Sequence, residues 1–172
     1  EIPFIRRGNT AYVVVEGPSW TEAEANANKL GGHLVTINDA EENEFITSLV
    51  ANNNDHNAWI GYKYDLLIND WVWQDGSKND YLNWDINQPN LGNEEWYVGI
   101  LSGLKFHSAY GNGDYSGKWH DYPTGWWTQA ERGISESEII RRGDSAYVIV
   151  EGPTWEEAEA NANRLGGHLV TI

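Results

Sequence analysis

The sequence predicts an α+β fold, with two amphipathic helices near the start and short strands separated by long polar loops after them. Three observations carry that prediction. Apolar residues in the first quarter of the chain recur at spacings of three and four, the signature of a helix buried along one side. From Ala58 onward the apolar runs become short and rich in Trp, Tyr, Val and Ile, which favour strands. The stretches between those runs are dominated by Asn, Asp, Gly and Ser, which form turns and loops. Helices grouped ahead of a mostly antiparallel set of strands give an α+β domain rather than an alternating one.

The elements follow in order. Ala11 to Val15 is a β-branched and aromatic run that reads as the first strand, broken by Glu16, Gly17 and Pro18. Ser19 and Glu22 form a capping box, the hydroxyl accepting from the first helical turn while the carboxylate reaches back. That helix carries Trp20, Ala23, Ala27 and Leu30 on one face and stops at Gly31 and Gly32. His33 to Ile37 is a short extended segment, in which His33 reads as structural rather than as a ligand. A second helix is expected from Asn38, capped with Glu41, turning Phe45, Ile46 and Leu49 inward and ending at Asn52 to Asp55. Ala58 to Tyr62, Trp71 to Trp73 and Trp96 to Leu101 read as strands, the second closed by a turn over Gln74 to Ser77. A Gly/Asn/Ser/Tyr-rich segment from Ser108 to Gly117 leads into Lys118-Trp119-His120-Asp121.

An internal repeat sets the domain boundaries. Ile5 to Ile37 recurs at Ile140 to Ile172 with a constant offset of 135, and only six of the 33 paired positions differ. Residues 1–138 therefore make one complete unit, with its core at about 9–136. Residues 139–172 are the opening strand and helix of a second unit. The pattern points to a tandem array in a longer protein. A strand and one helix cannot bury their apolar faces alone, so the copy is expected to fill the 5–37 slot of a neighbouring chain and build swapped oligomers.

Composition excludes several classes of function. The net charge of −15 argues against nucleic acid, whose binding needs Lys and Arg to displace counterions, and against anionic membranes. No apolar run of about 18 residues is present, so no spanning helix is expected. With no cysteine, disulfides and thiolate metal sites are excluded. The acidic balance suits cation binding and an extracellular or cell-surface setting. Ten tryptophans exceed what a core this size needs, so some are expected to line a binding surface.

The loop from Asn83 to Glu95 concentrates the chemistry. Its polar groups are oxygen donors of the kind hard cations prefer: the amides of Gln88 and Asn90 flank Pro89, and Glu94 and Glu95 follow. Asp121 supplies a further carboxylate beside Trp119. An oxygen-rich loop framed by tryptophans suggests a calcium-assisted binding site.

Taken together, these motifs resemble the C-type lectin-like domain over essentially the whole unit, from about Tyr12 to Glu136. Ser19-Trp20 with Glu22-Ala23, ahead of Leu30-Gly31-Gly32-His33-Leu34, resembles that family's first helix and its exit. Trp59-Ile60-Gly61 is similar to its core signature, and Gln88-Pro89-Asn90 to its proline tripeptide. Glu95-Trp96-Tyr97-Val98, Trp119-His120-Asp121 and Gly133-Ile134-Ser135-Glu136 resemble its later strands. The resemblance implies paired terminal strands, a cis Pro89, and calcium held by Gln88, Asn90, Glu95 and Asp121, with His120 where the family usually has Asn. It implies vicinal sugar hydroxyls as ligand, with Trp119, Trp126 or a tyrosine of the 108–117 loop covering the sugar's apolar face. The family's usual disulfide positions are held by Ala27, Ser135 and Tyr97, which fits a bacterial member. Neutral imidazole is a poor calcium ligand, and Gln88 in place of Glu removes a charge, so calcium binding is expected to be weak.

Three classes of function follow. The first is a calcium-dependent carbohydrate-binding module for a glycan or surface glycoconjugate, in an adhesive cell-surface or secreted protein. The second is a structural or protein-interaction module that builds surface arrays or swapped oligomers. The third, an enzyme using Asp70 with Asp75 or Glu94 with Asp121, has no nucleophile–base motif behind it, and no catalytic residue is assigned. A second calcium site from Asp65, Asn69 or Asp70 with Glu94 or Glu95 matches the family spacing poorly, and solvated loop acids are the preferred reading there.

Overall fold

The structure is a computed structural model that describes residues 5–51, 57–91, 94–103, 115–123 and 130–171. Eight strands form its principal sheet, along the path β1-β2-β8-β4-β6-β7. They are β1 (Ile5–Arg7), β2 (Thr10–Glu16), β3 (His33–Leu34), β4 (Asn57–Asp65), β5 (Asp70–Trp73), β6 (Tyr97–Ile100), β7 (Trp119–Tyr122) and β8 (Ala130–Glu138). β3 pairs with β8, and β5 with β4. The first helix, α1 (Trp20–Lys29), packs on β8, β2 and β3, and α2 (Ala40–Ala51) follows β3. The α+β class predicted from the sequence is the one observed.

The terminal strands of the unit pair as expected. β2 runs antiparallel to β8 from Thr10 opposite Glu138 to Glu16 opposite Arg132. Two apolar clusters flank the sheet. One joins Tyr12, Val35, Ile46, Ile60, Trp73, Trp119 and Ile134 with their neighbours. The other joins Val13, Trp20, Ala27, Leu34, Trp59, Leu101 and Tyr122. Residues of β2 contribute to both because successive side chains of a strand point to opposite faces.

The helix ends show what short polar side chains decide locally. Ser19 caps α1, its Oγ accepting from Glu22 N at 3.3 Å. Glu22 meets the Ser19 hydroxyl rather than its backbone, so the first copy holds half of a capping box. α2 is capped one residue later than the sequence suggests. Asp39 Oδ1 accepts from Glu42 N at 2.8 Å, while the Asn38 side-chain amide donates to Thr36 O and to Glu42. Glu42, not Glu41, is the residue that reaches back, accepting from Asn38 N at 3.0 Å. It also accepts the Tyr12 hydroxyl at 2.7 Å, and so ties α2 to β2. The predicted end of this helix, Asn52 to Asp55, lies outside the described residues.

His33 is structural, as expected. Glu24 is buried in α1 and accepts from Leu34 N and pairs with His33 Nδ1, both at 2.8 Å, which latches β3 to the helix. The second copy repeats the latch with Glu159, His168 and Leu169 at the same distances. It holds β9 (Ile140–Arg142) paired with β10 (Ser145–Tyr147) as a separate two-stranded sheet, then α3 (Trp155–Arg164). The copy lies against its own chain, with Glu151 N donating to Lys29 O and Leu165 packing on the second apolar cluster. This does not match the expectation that it leaves to fill a neighbouring chain's slot.

One buried acid makes stability depend on pH. Glu136 of β8 accepts from Thr36 N at 2.7 Å, but burial, with Glu42 and Asp75 nearby, pushes its carboxyl from 4.5 up to about 7. Below pH 4.5 the group is protonated in both folded and unfolded chains and contributes nothing. Between 4.5 and about 7 only the folded form keeps the proton, so stability falls as pH rises, by at most about 3 kcal/mol in all. Glu136→Gln keeps the acceptor for Thr36 N and is expected to be the more stable protein at pH 8. Urea midpoints measured from pH 5 to pH 8 should fall for the parent and flatten for the variant. Equal slopes would mean that Glu136 ionises normally in the fold.

Candidate functional site

The loop that follows β5 is laced to β7 by its own backbone. Trp119 N donates to Asn83 O at 3.0 Å, Asp85 N donates to Trp119 O at 3.1 Å, and Trp84 bridges Trp119 in parallel. Asn83 is held at both ends of its amide, its Nδ2 donating to Gly117 O at 2.8 Å and its Oδ1 accepting from Lys118 Nζ at 2.9 Å. These bonds anchor the start of the loop on β7. Asn87 and Leu91 adopt positive φ angles of 63° and 50°, and Asn tolerates that conformation better than most residues.

Three of the four ligands expected from the sequence are linked by hydrogen bonds, Gln88 to Asn90 through their side chains and Asp121 to Asn90 through its backbone. The Gln88–Pro89 peptide is cis. Asn90 Nδ2 donates to Gln88 Oε1 at 3.2 Å, so the two amides flanking the proline meet. Asp121 is buried, and its carboxylate accepts Asn90 N at 3.0 Å and Leu91 N at 2.7 Å. Asn90 is exposed, Gln88 half-buried, and Glu95, the fourth, half-buried just ahead of β6. Asp121 keeps spare acceptor capacity, since an ionised carboxylate offers about four lone-pair sites.

Two residues named from the sequence have other roles. Trp119 is 0% exposed and its Nε1 donates to Asn43 Oδ1 at 2.8 Å, deep in the first apolar cluster. It packs against Tyr62, Trp73, Tyr81 and Trp84, so it cannot cover a sugar. His120 is buried beside Tyr122, with its Nε2 2.8 Å from Asp85 Oδ2. That nitrogen is committed to a carboxylate inside the fold rather than to a cation outside it. All four residues of β7 are buried, because both faces of the strand are covered. Trp119, His120 and Asp121, all expected at the ligand site, are thus all interior. Trp126 and Tyr110 lie outside the described residues, and Tyr115 packs on the second cluster.

Asp85, which the sequence reading gave no role, is the partner of His120. In a loop rich in Asn, Asp and Gly nothing in the sequence sets it apart, and its partner lies in another strand. The half-buried Trp71 and Trp84, with ring centroids 5.0 Å apart, form the aromatic edge nearest the loop in sequence. Asp65 and Asp70 accept backbone N–H groups of Leu67 and Trp71 at the β4–β5 turn, as solvated turn acids do. Among the described residues no cluster of three or more His, Cys, Asp or Glu is placed to hold a metal, and the oxygen donors that the loop brings near Asp121 are the amides of Gln88 and Asn90. That donor set is chemically suitable for calcium: two neutral carbonyl oxygens and two carboxylates, all hard.

Residues 16–125 match the family model of the Lectin C-type domain. The chain is 32% identical over 90 residues to a perlucin-like protein of Mytilus galloprovincialis, covering 51% of this chain and 58% of that one. It superposes on the cow C-type carbohydrate-recognition domain of CD23, solved in the presence of GlcNAc2Man3 oligosaccharide. There the TM-score is 0.63 and the identity 26%, covering 78% of this chain and 92% of that one. The calcium-independent C-type lectin SPL-2 from Saxidomus purpuratus shares the fold, with a TM-score of 0.62 and 23% identity over 77% of this chain and 89% of that one. The chain spans about half the length of the curated relatives it matches.

Proposed function

The chain belongs to the C-type lectin domain family, and on that premise we propose that it is a carbohydrate-binding module whose Gln88–Asp121 site engages sugar hydroxyls with the help of calcium. The observation that supports this reading is the linkage of Gln88, Asn90 and Asp121, the Asn90 side chain bonding Gln88 and the Asn90 and Leu91 backbone N–H groups bonding the Asp121 carboxylate. Gln88, Asn90, Glu95 and Asp121 would hold the ion. When bound, calcium supplies a Lewis-acidic centre that takes two vicinal hydroxyls into its coordination shell. The chain's own residues orient those hydroxyls, the carboxylates accepting from them and the amide NH2 groups donating to them. The exposed Asn90 amide is the group best placed to read the sugar.

The donor set has two carboxylates and two neutral amides, and the nearby carboxylate of Asp85 is paired with His120. Charge count tunes affinity in such sites, so calcium is expected to bind weakly, with Kd of roughly 10⁻⁴–10⁻³ M. The internal repeat and the net charge of −15 support a secreted or cell-surface setting in a tandem-repeat, adhesive protein, and the absence of cysteine supports a bacterial-type source. No described helix is long and apolar enough to cross a membrane. The reaction is binding alone, and no catalytic residue is assigned.

Calorimetric titration of the full chain with calcium, followed by a glycan array with calcium and with EGTA, tests the proposal. The expected result is saturation at or below a few millimolar and glycan signals that EGTA removes. Glycan binding that survives EGTA would retain the lectin and remove the ion. A flat titration with an empty array would remove both.

A further inference from the structure

The second copy is already folded for a groove that the first copy occupies. Every position that is buried between residues 5 and 37 is identical in the copy, and the six differences fall at exposed or half-buried positions. α3 carries a complete capping box on Thr154 and Glu157, and Glu159 reproduces the latch to His168 and Leu169. What differs is the environment. Trp20 is 6% exposed, stacks on Tyr97 and donates through Nε1 to Ile60 O at 2.8 Å. Its counterpart Trp155 is 66% exposed. Val35 is 0% exposed and Val170 62%. The Trp155 and Val170 part of this apolar face thus stands open, while Ala162 is covered and Leu165 partly so, and a surface that fits the whole face exists in the same chain: β8, β4 and β6 of the body between residues 38 and 138.

We propose that residues 145–171 are a second plug for this chain's own body, able to displace residues 10–36 from it. The connection allows it. Thr10 lies opposite Glu138, so in the same register Ser145 would lie opposite Glu138 across a loop of six residues, 139–144. That is an ordinary length for a link between paired strands. The exchange opens the short β9–β10 pairing, removes the Glu151–Lys29 contact and releases Trp20 in place of Trp155. A tether this short holds the copy at an effective concentration in the millimolar range, so its own body outcompetes a second chain at micromolar protein. The chain then has two frames, 5–138 and 38–171, which share the Gln88–Asp121 site and differ in which end presents an open strand and helix.

Paired cysteines in this cysteine-free chain report the frame directly. Val13 lies opposite Ser135, so the V13C/S135C variant tests whether that register bridges. In the S135C/V148C variant a bridge requires the copy to sit on β8. The expected result at about 1 µM protein is a 135–148 bridge within single chains, identified by peptide mass after proteolysis. A bridge between chains would give the face to a second copy and overturn the assignment to its own body. No 135–148 bridge while V13C/S135C bridges readily would overturn the exchange altogether. Melting gives an independent check. W20A and W155A should each lie within about 3 °C of the parent, because either plug can serve, whereas W20A/W155A should melt about 10 °C lower. A W20A protein as unstable as the double variant would also overturn it.

Discussion

Trp119→Ala should destabilise the domain by about 3–5 kcal/mol and lower the melting temperature by about 10 °C. The side chain is fully buried and touches four other aromatic rings, so truncation leaves a large cavity where the sheet meets α2. It also strands Asn43, whose Oδ1 accepts the indole N–H while its Nδ2 donates to Gly117 O at 3.1 Å. Gly117 O is the same oxygen that receives Asn83, so the damage reaches the base of the ligand loop. Trp119→Phe keeps most of the volume and removes the indole N–H. It should cost less and leave glycan binding intact in folded protein. Loss of glycan binding in a stably folded Trp119→Phe variant would restore the indole to a role at the sugar. Chemical denaturation, with binding measured on the folded fraction, checks both points.

Asp121→Asn should separate the site from the fold. The asparagine retains an oxygen to accept Asn90 N and Leu91 N, so the loop stays in place and stability falls by only about 1 kcal/mol. The anionic donors drop from two to one, and calcium affinity is expected to weaken by roughly tenfold or more. Calorimetry of the variant beside the parent tests this. Unchanged calcium affinity would show that Asp121 only supports the loop and that the ion, if bound, uses other donors. Asp121→Ala should be worse on both counts, since it leaves two backbone N–H groups without their acceptor.

The fold was legible because its signals are local and repeated. The helix faces at Trp20, Ala23, Ala27 and Leu30, the glycine stop, and the β-branched run at Ala11 to Val15 each point to one element, and the repeat states the first quarter twice. The cap of α2 was misplaced by one residue because Asn38 and Asp39 are both good caps. Only the competing bonds of Asn38 to Thr36 and Glu42 decide between them. At the site, the amides flanking Pro89 and the Asp121 carboxylate could be named from residue type and order. The burial of Trp119 and His120 could not. Period-two alternation predicts one wet face for a strand, and β7 has none, because the loop from Asn83 to Asp85 covers its outer side. Asp85 follows the same logic: its partner His120 lies 35 residues away, beyond the reach of local pattern.

The pairing of β2 with β8 also sets how the unit responds to being pulled. Ile139 N donates to Asn9 O at 2.8 Å, so once the short β1 has peeled from β2 the chain enters and leaves the unit at two residues that are bonded to each other. Tension applied through the flanking chain therefore falls on one end of the antiparallel ladder. Its rungs break in sequence from Thr10–Glu138 towards Glu16–Arg132, instead of sharing the load in shear. A string of such units would be soft, each opening at low force and lengthening the tether while the body that carries Gln88, Asn90 and Asp121 is loaded only afterwards.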